Sequence, residues 1–392
     1  MSQQLISLSP DLTRLREDGY EVSIEHGHLV VHGIPYVDAE RQLKRGTLVS
    51  TLALSGNQTN RPDTHVALFA GDYPCDQHGK PIEKIRHGST RQVIGPGLSV
   101  DHSFSSKPTA GYPDYYAKMT TYAAILSSPA AALDPSATPR TYRVIEAPDD
   151  SPFEYFDNAS GRAGISHISR KLMLNSVSII GLGGTGSYVL DLVAKTPVAR
   201  IELFDADVFE QHNAFRAPGA PSLDELRKRP RKVDYLAGIY SKMHKGIVPH
   251  LERITADNVE LLQDQAMVFL CIDKSEIKLP IIHALEAYQV PFIDVGMGID
   301  IVDNALIGTL RTTTSTPRFR AHVHDRARIP LTDVGVDDLY AKNIQVADLN
   351  ALNACLAVIR WKKLCGFYRD TEGEHFSLFT LDANHLLNED AA

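Results

Sequence analysis

The sequence predicts an α/β protein, a Rossmann-like doubly wound sheet preceded by a smaller α+β domain. Three observations point there. Residues 177–180 form a short β-branched run, Gly181, Gly183, Gly184 and Gly186 follow, and the amphipathic stretch 188–195 comes next, which reads as strand, tight turn and helix. A second apolar strand, 199–204, runs into Asp205, a carboxylate 19 residues beyond Gly186. Residues 1 to about 150 have another texture, with alternating strand patterns and loops rich in Gly, Pro and Asp.

In chain order, residues 9–18 read as a capped helix ending at Gly19, and 20–24 and 28–32 alternate like paired strands around Gly27. Further strands are expected at 64–69, 91–94 and 98–104, and the Tyr-rich 112–122 leads into a helix. The Pro/Ala/Ser-rich 127–139 reads as a loop or linker, and the domains join near 147–150, giving domains of 1–150 and 151–392. Beyond the glycine turn, a strand ends at Asp273, a helix covers 277–288, and a strand at 291–295 runs to Gly296 and Gly298. Strands through 305–312 follow, and an apolar helix, 348–364, closes the fold.

The glycine turn sits where a helix begins. Glycine lets the backbone approach a phosphate, and exposed N–H groups at the positive helix end favour an anion. Asp205 stands where a nucleotide-binding βαβ unit places its ribose acceptor. Such a turn serves NAD, FAD or ATP, or merely lets a helix pack closely on a strand.

The continuation narrows the choice. Asp205-Ala-Asp207 is followed six residues on by Asn213 and three further by Arg216, a pattern that resembles the ThiF/MoeB/HesA superfamily of adenylate-forming proteins, related to ubiquitin-activating enzymes. Lys232 matches that family's ATP-binding lysine, and Asp273 its aspartate for magnesium and the reacting phosphate. The resemblance implies that Gly181, Gly183, Gly184 and Gly186 cradle ATP, Asp205 holds the ribose and Asp207 lies near the phosphates. It further implies that Asn213, Arg216 and Lys232 neutralise phosphate oxygens and Asp273 coordinates Mg2+. It also implies a homodimer in which an arginine before the first strand completes the partner's site; Arg162 is the candidate and Arg170 the runner-up. The first 150 residues resemble a poorly characterised companion domain of some bacterial adenylating proteins, with substrate or partner binding as its open role.

Two departures matter. The chain has no Cys-x-x-Cys pair for zinc, and no cysteine lies between Cys271 and Cys355, where the ubiquitin-activating branch carries its catalytic thiol. Cys271 falls on an apolar strand, Cys355 on an apolar helix and Cys365 just after it, so only Cys75, in a loop-like setting near His78, could present a thiolate. The segment 312–329 is polar and basic instead, reading as a mobile loop or a surface guiding a peptide tail. His26, His28 and His32 would share one face of a strand, which raises a metal reading, but their spacing does not enforce convergence.

Composition sets limits. The 392 residues allow two domains with real cores, and 43% hydrophobic with 22% charged residues is ordinary for a globular protein. A net charge of −8 argues against nucleic acid, whose backbone needs a clustered basic surface. The basic run 227–232 reads as a solvated loop whose last residue, Lys232, enters the site. Apolar runs fall short of the roughly 18 residues of a membrane span, and the polar start lacks a signal-peptide core, so a cytoplasmic protein without membrane contact is expected. Four cysteines fit a reducing compartment.

The resemblance therefore implies ATP- and Mg2+-dependent adenylation of the C-terminal carboxylate of a ubiquitin-like protein, with a conjugating-enzyme partner and without a cysteine thioester on this chain. An NAD(P)-dependent oxidoreductase leaves Asn213, Arg216 and Lys232 without a task. A non-catalytic nucleotide-binding scaffold leaves Asp273 without one.

Overall fold

The structure, a computed structural model, describes residues 2–144, 146–147, 149–163, 165–273, 275–331 and 344–391. The chain divides into two compact units, residues 1–148 with 156–164, and residues 149–155 with 165–392.

The first unit opens with helices α1 (Ser2–Leu8) and α2 (Pro10–Glu17). Strands β1 (Glu21–Glu25), β2 (His28–Val37) and β3 (Leu43–Thr51) follow, then the two-residue pair β4 (Leu54–Ser55) and β5 (Gln58–Thr59). Next come β6 (Val66–Ala70), β7 (Arg86–Gly88), β8 (Gln92–Gly95), β9 (Leu98–Val100) and β10 (His102–Ser105). Six strands make one antiparallel sheet in the order β1-β2-β3-β6-β10-β7, while β8 and β9 pair separately. Helix α3 (Tyr115–Leu133) lays Tyr115, Met119, Tyr122 and Leu126 on one sheet face, against Leu29, Val31, Leu48 and Phe69. Val30 and Val49, pointing the other way, pack with Leu98 and Val100.

Two expectations fail here. Residues 127–133 are helical, because Ala130 is buried and the alanine-rich end outweighs the bond lost at Pro129. The 98–104 strand is broken between β9 and β10, which belong to different sheets.

Short helices α4 (Asn158–Arg162) and α5 (Ser166–Ser169) precede β11 (Ser176–Ile180). The chain continues through α6 (Gly184–Val193), β12 (Arg200–Phe204), α7 (Gln211–Ala214), α8 (Leu223–Arg227), α9 (Lys232–Tyr240) and β13 (Ile247–His250). It then runs through β14 (Met267–Leu270), α10 (Ser275–Ala287), β15 (Phe292–Val302), β16 (Ala305–Ser315), α11 (Ala321–Asp325) and α12 (Ala347–Leu364). Strands β17 (Glu374–Thr380) and β18 (His385–Ala391) end it.

The eight-stranded sheet runs β13-β12-β11-β14-β15-β16-β17-β18, parallel through β15 and antiparallel beyond. Alternate residues feed two cores: Val177, Ile179, Ile201, Leu203 and Phe269 pack with Trp361 on one face, and Ile180, Phe204, Val268 and Leu270 pack with Ile281, Ile282 and Leu285 on the other. After β11 the chain steps outward to β12 and β13, then crosses to β14 on the opposite side, so the sequence order reverses between β11 and β14. Ligands of open α/β sheets bind at such a reversal, beyond the carboxyl ends of the strands. Helix 348–364 does not close the fold as expected, since the β17–β18 hairpin extends the sheet after it. Gly296 and Gly298 lie inside the long β15, where Gly296 makes room for Arg311; a Cβ there would stand 2.6 Å from its Nη2.

Candidate nucleotide-binding site

The glycine turn caps β11 at the switch point, and its glycines have different reasons. Gly181 has φ +87°, and a Cβ would lie 2.7 Å from the Cys271 carbonyl oxygen. At Gly186 a Cβ would meet the Gly181 oxygen at 1.9 Å, and at Gly184 the Asn350 Nδ2 at 2.2 Å. Only Gly183 among the four faces open space, with nothing within 4 Å of a built Cβ. Three glycines therefore serve the packing of the fold, and Gly183 leaves bare backbone at the start of α6.

Asp205 closes this turn. Its Oδ2 accepts the Leu182 N–H at 2.7 Å and its Oδ1 the Asp207 N–H at 2.8 Å. Lys232, the first residue of α9, donates its own N–H to the Asp207 carbonyl at 3.0 Å and aims its ammonium back at the acidic pair. Lys232 Nζ stands 3.0 Å from Asp207 Oδ2 and 3.7 Å from Asp205 Oδ2. Arg253, just past β13, donates to Asp207 Oδ1 at 2.7 Å. The bond from Arg253, with a second from Lys232, holds the Asp207 carboxyl below the usual carboxylate range.

Asn213 is nearly fully buried and spends its side-chain oxygen on a helix cap, accepting the Glu210 N–H at 2.8 Å. Arg216 follows α7 with a buried Nε that has no hydrogen-bond partner. Burial lowers its pKa, and the Asp273 charge pushes the other way, which puts Asp273 in electrostatic reach. Asp273 itself is exposed between β14 and α10.

Asp207, Asn213, Arg216 and Lys232 border one cavity of about 460 Å³, together with Glu210, His212, Arg229 and Arg231. Arg229 pairs with Glu210 at 3.0 Å, and Arg231 donates to the Ala206 carbonyl at 3.2 Å. The basic run is solvated with Lys232 alone buried, as expected, and the exposed Arg229 and Arg231 line the cavity as well. An orphaned guanidinium N–H, bare backbone at Gly183 and clustered cations fit a polyanionic nucleotide. Among the described residues no group of three or more His, Cys, Asp or Glu side chains is arranged to hold a metal.

Sequence reasoning missed Arg253 and Asn350, which are distant in sequence. Asn350, buried in the first turns of α12, accepts the Thr185 hydroxyl at 2.9 Å and reaches toward the Arg216 carbonyl at 3.5 Å. Arg162 ends α4 in the first unit, with its side chain outside the described residues, while Arg170 is exposed in the second.

Other expectations change. Cys75 is not a presented loop thiol: it is 1% exposed, bridged to Val37 and Pro81, and burial raises its pKa. Cys271 lies just past β14, and burial pushes up its thiol and that of Cys365, the latter to about 11. The 312–329 segment is neither a loop throughout nor a free basic surface. Arg326 and Arg328 pair with Asp390, His324 lies 3.0 Å from Glu286, and Arg320 donates to the Glu286 carbonyl at 2.8 Å. His26 sits in a turn beside the Pro96 carbonyl, and His32 lies 3.0 Å from Glu25.

Residues 160–328 match the model of the ThiF family, and residues 10–158 match a domain of unknown function (DUF6791). The chain carries a ThiF family domain. Solved structures similar to part of this chain are the following. One is E. coli MccB with AMPCPP and MccA, at 16% identity and TM-score 0.45 over 60% of this chain and 71% of that one. Another is PaaA, at 16% identity and TM-score 0.44 over 58% and 76%. A third is E. coli tRNA N6-threonylcarbamoyladenosine dehydratase, TcdA, with AMP, at 17% identity and TM-score 0.40 over 53% and 93%. Comparison with curated protein sequences returned no match. Among the described residues no helix is long and apolar enough to cross a membrane.

Proposed function

We propose that this chain uses ATP and magnesium to adenylate the C-terminal carboxylate of a ubiquitin-like protein in a bacterial conjugation pathway, releasing pyrophosphate. The observation that supports it most is the cavity at the switch point, where Arg216, Arg229, Arg231 and Lys232 face one space. A carboxylate is a poor acyl donor because its oxide leaves badly, and exchange of that oxide for AMP corrects this. The reaction is in-line attack on the α-phosphorus, so the protein's task is positioning and charge neutralisation.

The Gly183 backbone receives the nucleotide. Each oxygen of Asp205 already accepts one backbone N–H and keeps a lone pair for a ribose hydroxyl. Arg216 and Lys232 line the cavity and would meet phosphate oxygens there, with Asn213 beside them. Magnesium, when bound, supplies charge neutralisation at the phosphates, and Asp273 is the residue that would hold it.

The activated acyl group passes to a conjugating-enzyme partner without a thioester on this chain, in keeping with the burial of Cys75. The chain acts as a cytoplasmic homodimer in which Arg162 serves the partner's site. The test is to incubate the protein with ATP, Mg2+ and a ubiquitin-like protein, its C terminus free or amidated, and to weigh the products. An adenylyl adduct on the free carboxylate alone is the expected result, and its absence overturns the reading.

A further inference from the structure

We infer that Arg253 is a positioning residue whose task is to neutralise Asp207 so that Lys232 stays available to an incoming phosphate. The inference rests on the nucleotide reading above. Two carboxylates, Asp205 and Asp207, stand within 4 Å of a single ammonium, Lys232 Nζ, at 3.7 and 3.0 Å. Lys232 alone cannot balance both and also serve a polyanion. Arg253 supplies the second positive charge from outside the cavity, binding the Asp207 oxygen that Lys232 does not touch. With Arg253 the four groups sum to zero. Without it they carry one net negative charge where phosphates must approach, and the undivided attraction of Asp207 falls on Lys232. Arg253 reaches the acidic pair only because β13 lies beside β12, so that His250 stands opposite Phe204 in register.

The effect is modest, because the Arg253 side chain is 60% exposed and an exposed pair is weak. The experiment is a double-mutant cycle on the full chain, with Arg253→Met, Asp207→Asn and the combined variant, each titrated calorimetrically with MgATP, inorganic pyrophosphate and adenosine. Arg253→Met is expected to weaken ATP and pyrophosphate by roughly three- to fivefold and leave adenosine unchanged. In the Asp207→Asn background the same change is expected to cost less than about twofold, because no charge is left to neutralise. Equal weakening in both backgrounds would mean that Arg253 touches the phosphates directly and would overturn the inference, as would unchanged affinity in the parent. A parent that binds pyrophosphate but not ATP removes the nucleotide reading while the cycle still judges Arg253 on pyrophosphate. Binding of neither overturns both.

Discussion

Asp205 and Leu182, 23 positions apart, are joined by a 2.7 Å hydrogen bond from the Leu182 N–H to Asp205 Oδ2. The same carboxylate accepts the Asp207 N–H, so one side chain fixes both the glycine turn and the acidic pair. Asp205→Ala should strand two N–H groups and destabilise the ThiF domain by about 2 to 4 kcal/mol. Asp205→Asn, which keeps one acceptor, should cost about half as much. Urea unfolding checks both, and equal stability of the two variants would contradict the bridging role.

The glycines separate fold from ligand. Gly183→Ala adds a methyl group to open space at φ −72°, so its melting temperature should stay near that of the parent while ATP affinity falls. Gly186→Ala drives a Cβ to within 1.9 Å of a backbone oxygen and should destabilise by about 1 to 3 kcal/mol or more. Thermal unfolding with nucleotide titration decides, and a reversed order of the two variants would refute the assignment.

The first unit has its own pH dependence. Lys118 is fully buried, donating to Ser50 Oγ at 2.8 Å and to the Thr64 carbonyl at 2.9 Å, and burial pushes its pKa down to about 8. An unfolded lysine titrates near about 10.4. Below the folded pKa both states hold the proton, and the fold bears the full cost of the buried charge. Between the two values the folded state has released its proton and the unfolded state has not, so stability rises with pH, by roughly 3 kcal/mol at most. Lys118→Met should flatten that rise in urea melts across this window, and an unchanged slope would assign the rise elsewhere.

Assembly is tested by complementation. Mixing inactive Arg162→Ala chains with inactive Asp273→Ala chains should restore about a quarter of parental activity, because each hybrid dimer holds one complete site. Hybrid dimers that form without rescue would remove Arg162 from the partner's site.

What the sequence made legible was local. The turn, the strand ending at Asp205 and the Asp-x-Asp to Arg216 spacing are short-range patterns, and the fold keeps them together. Arg253 and Asn350 were hidden because strand order and helix packing, not spacing, bring them to the turn. The β17–β18 hairpin was missed because its last strand, His385–Ala391, is mostly exposed and mixes Leu386 and Leu387 with charged residues. Cys75 looked presented because Pro74, Asp76 and Gly79 are turn residues, yet Cys75 lies at the buried base of that turn and its N–H bonds the Val37 carbonyl at 2.7 Å.

The measurement that bears most directly on the account is exchange of labelled pyrophosphate into ATP, run with the ubiquitin-like protein bearing a free or an amidated C terminus. The account predicts exchange that requires Mg2+ and the free carboxylate and is lost in Asp273→Ala, whose exposed site leaves the fold intact. Exchange undiminished by amidation or by Asp273→Ala, or no exchange at all with a bound nucleotide, would contradict it.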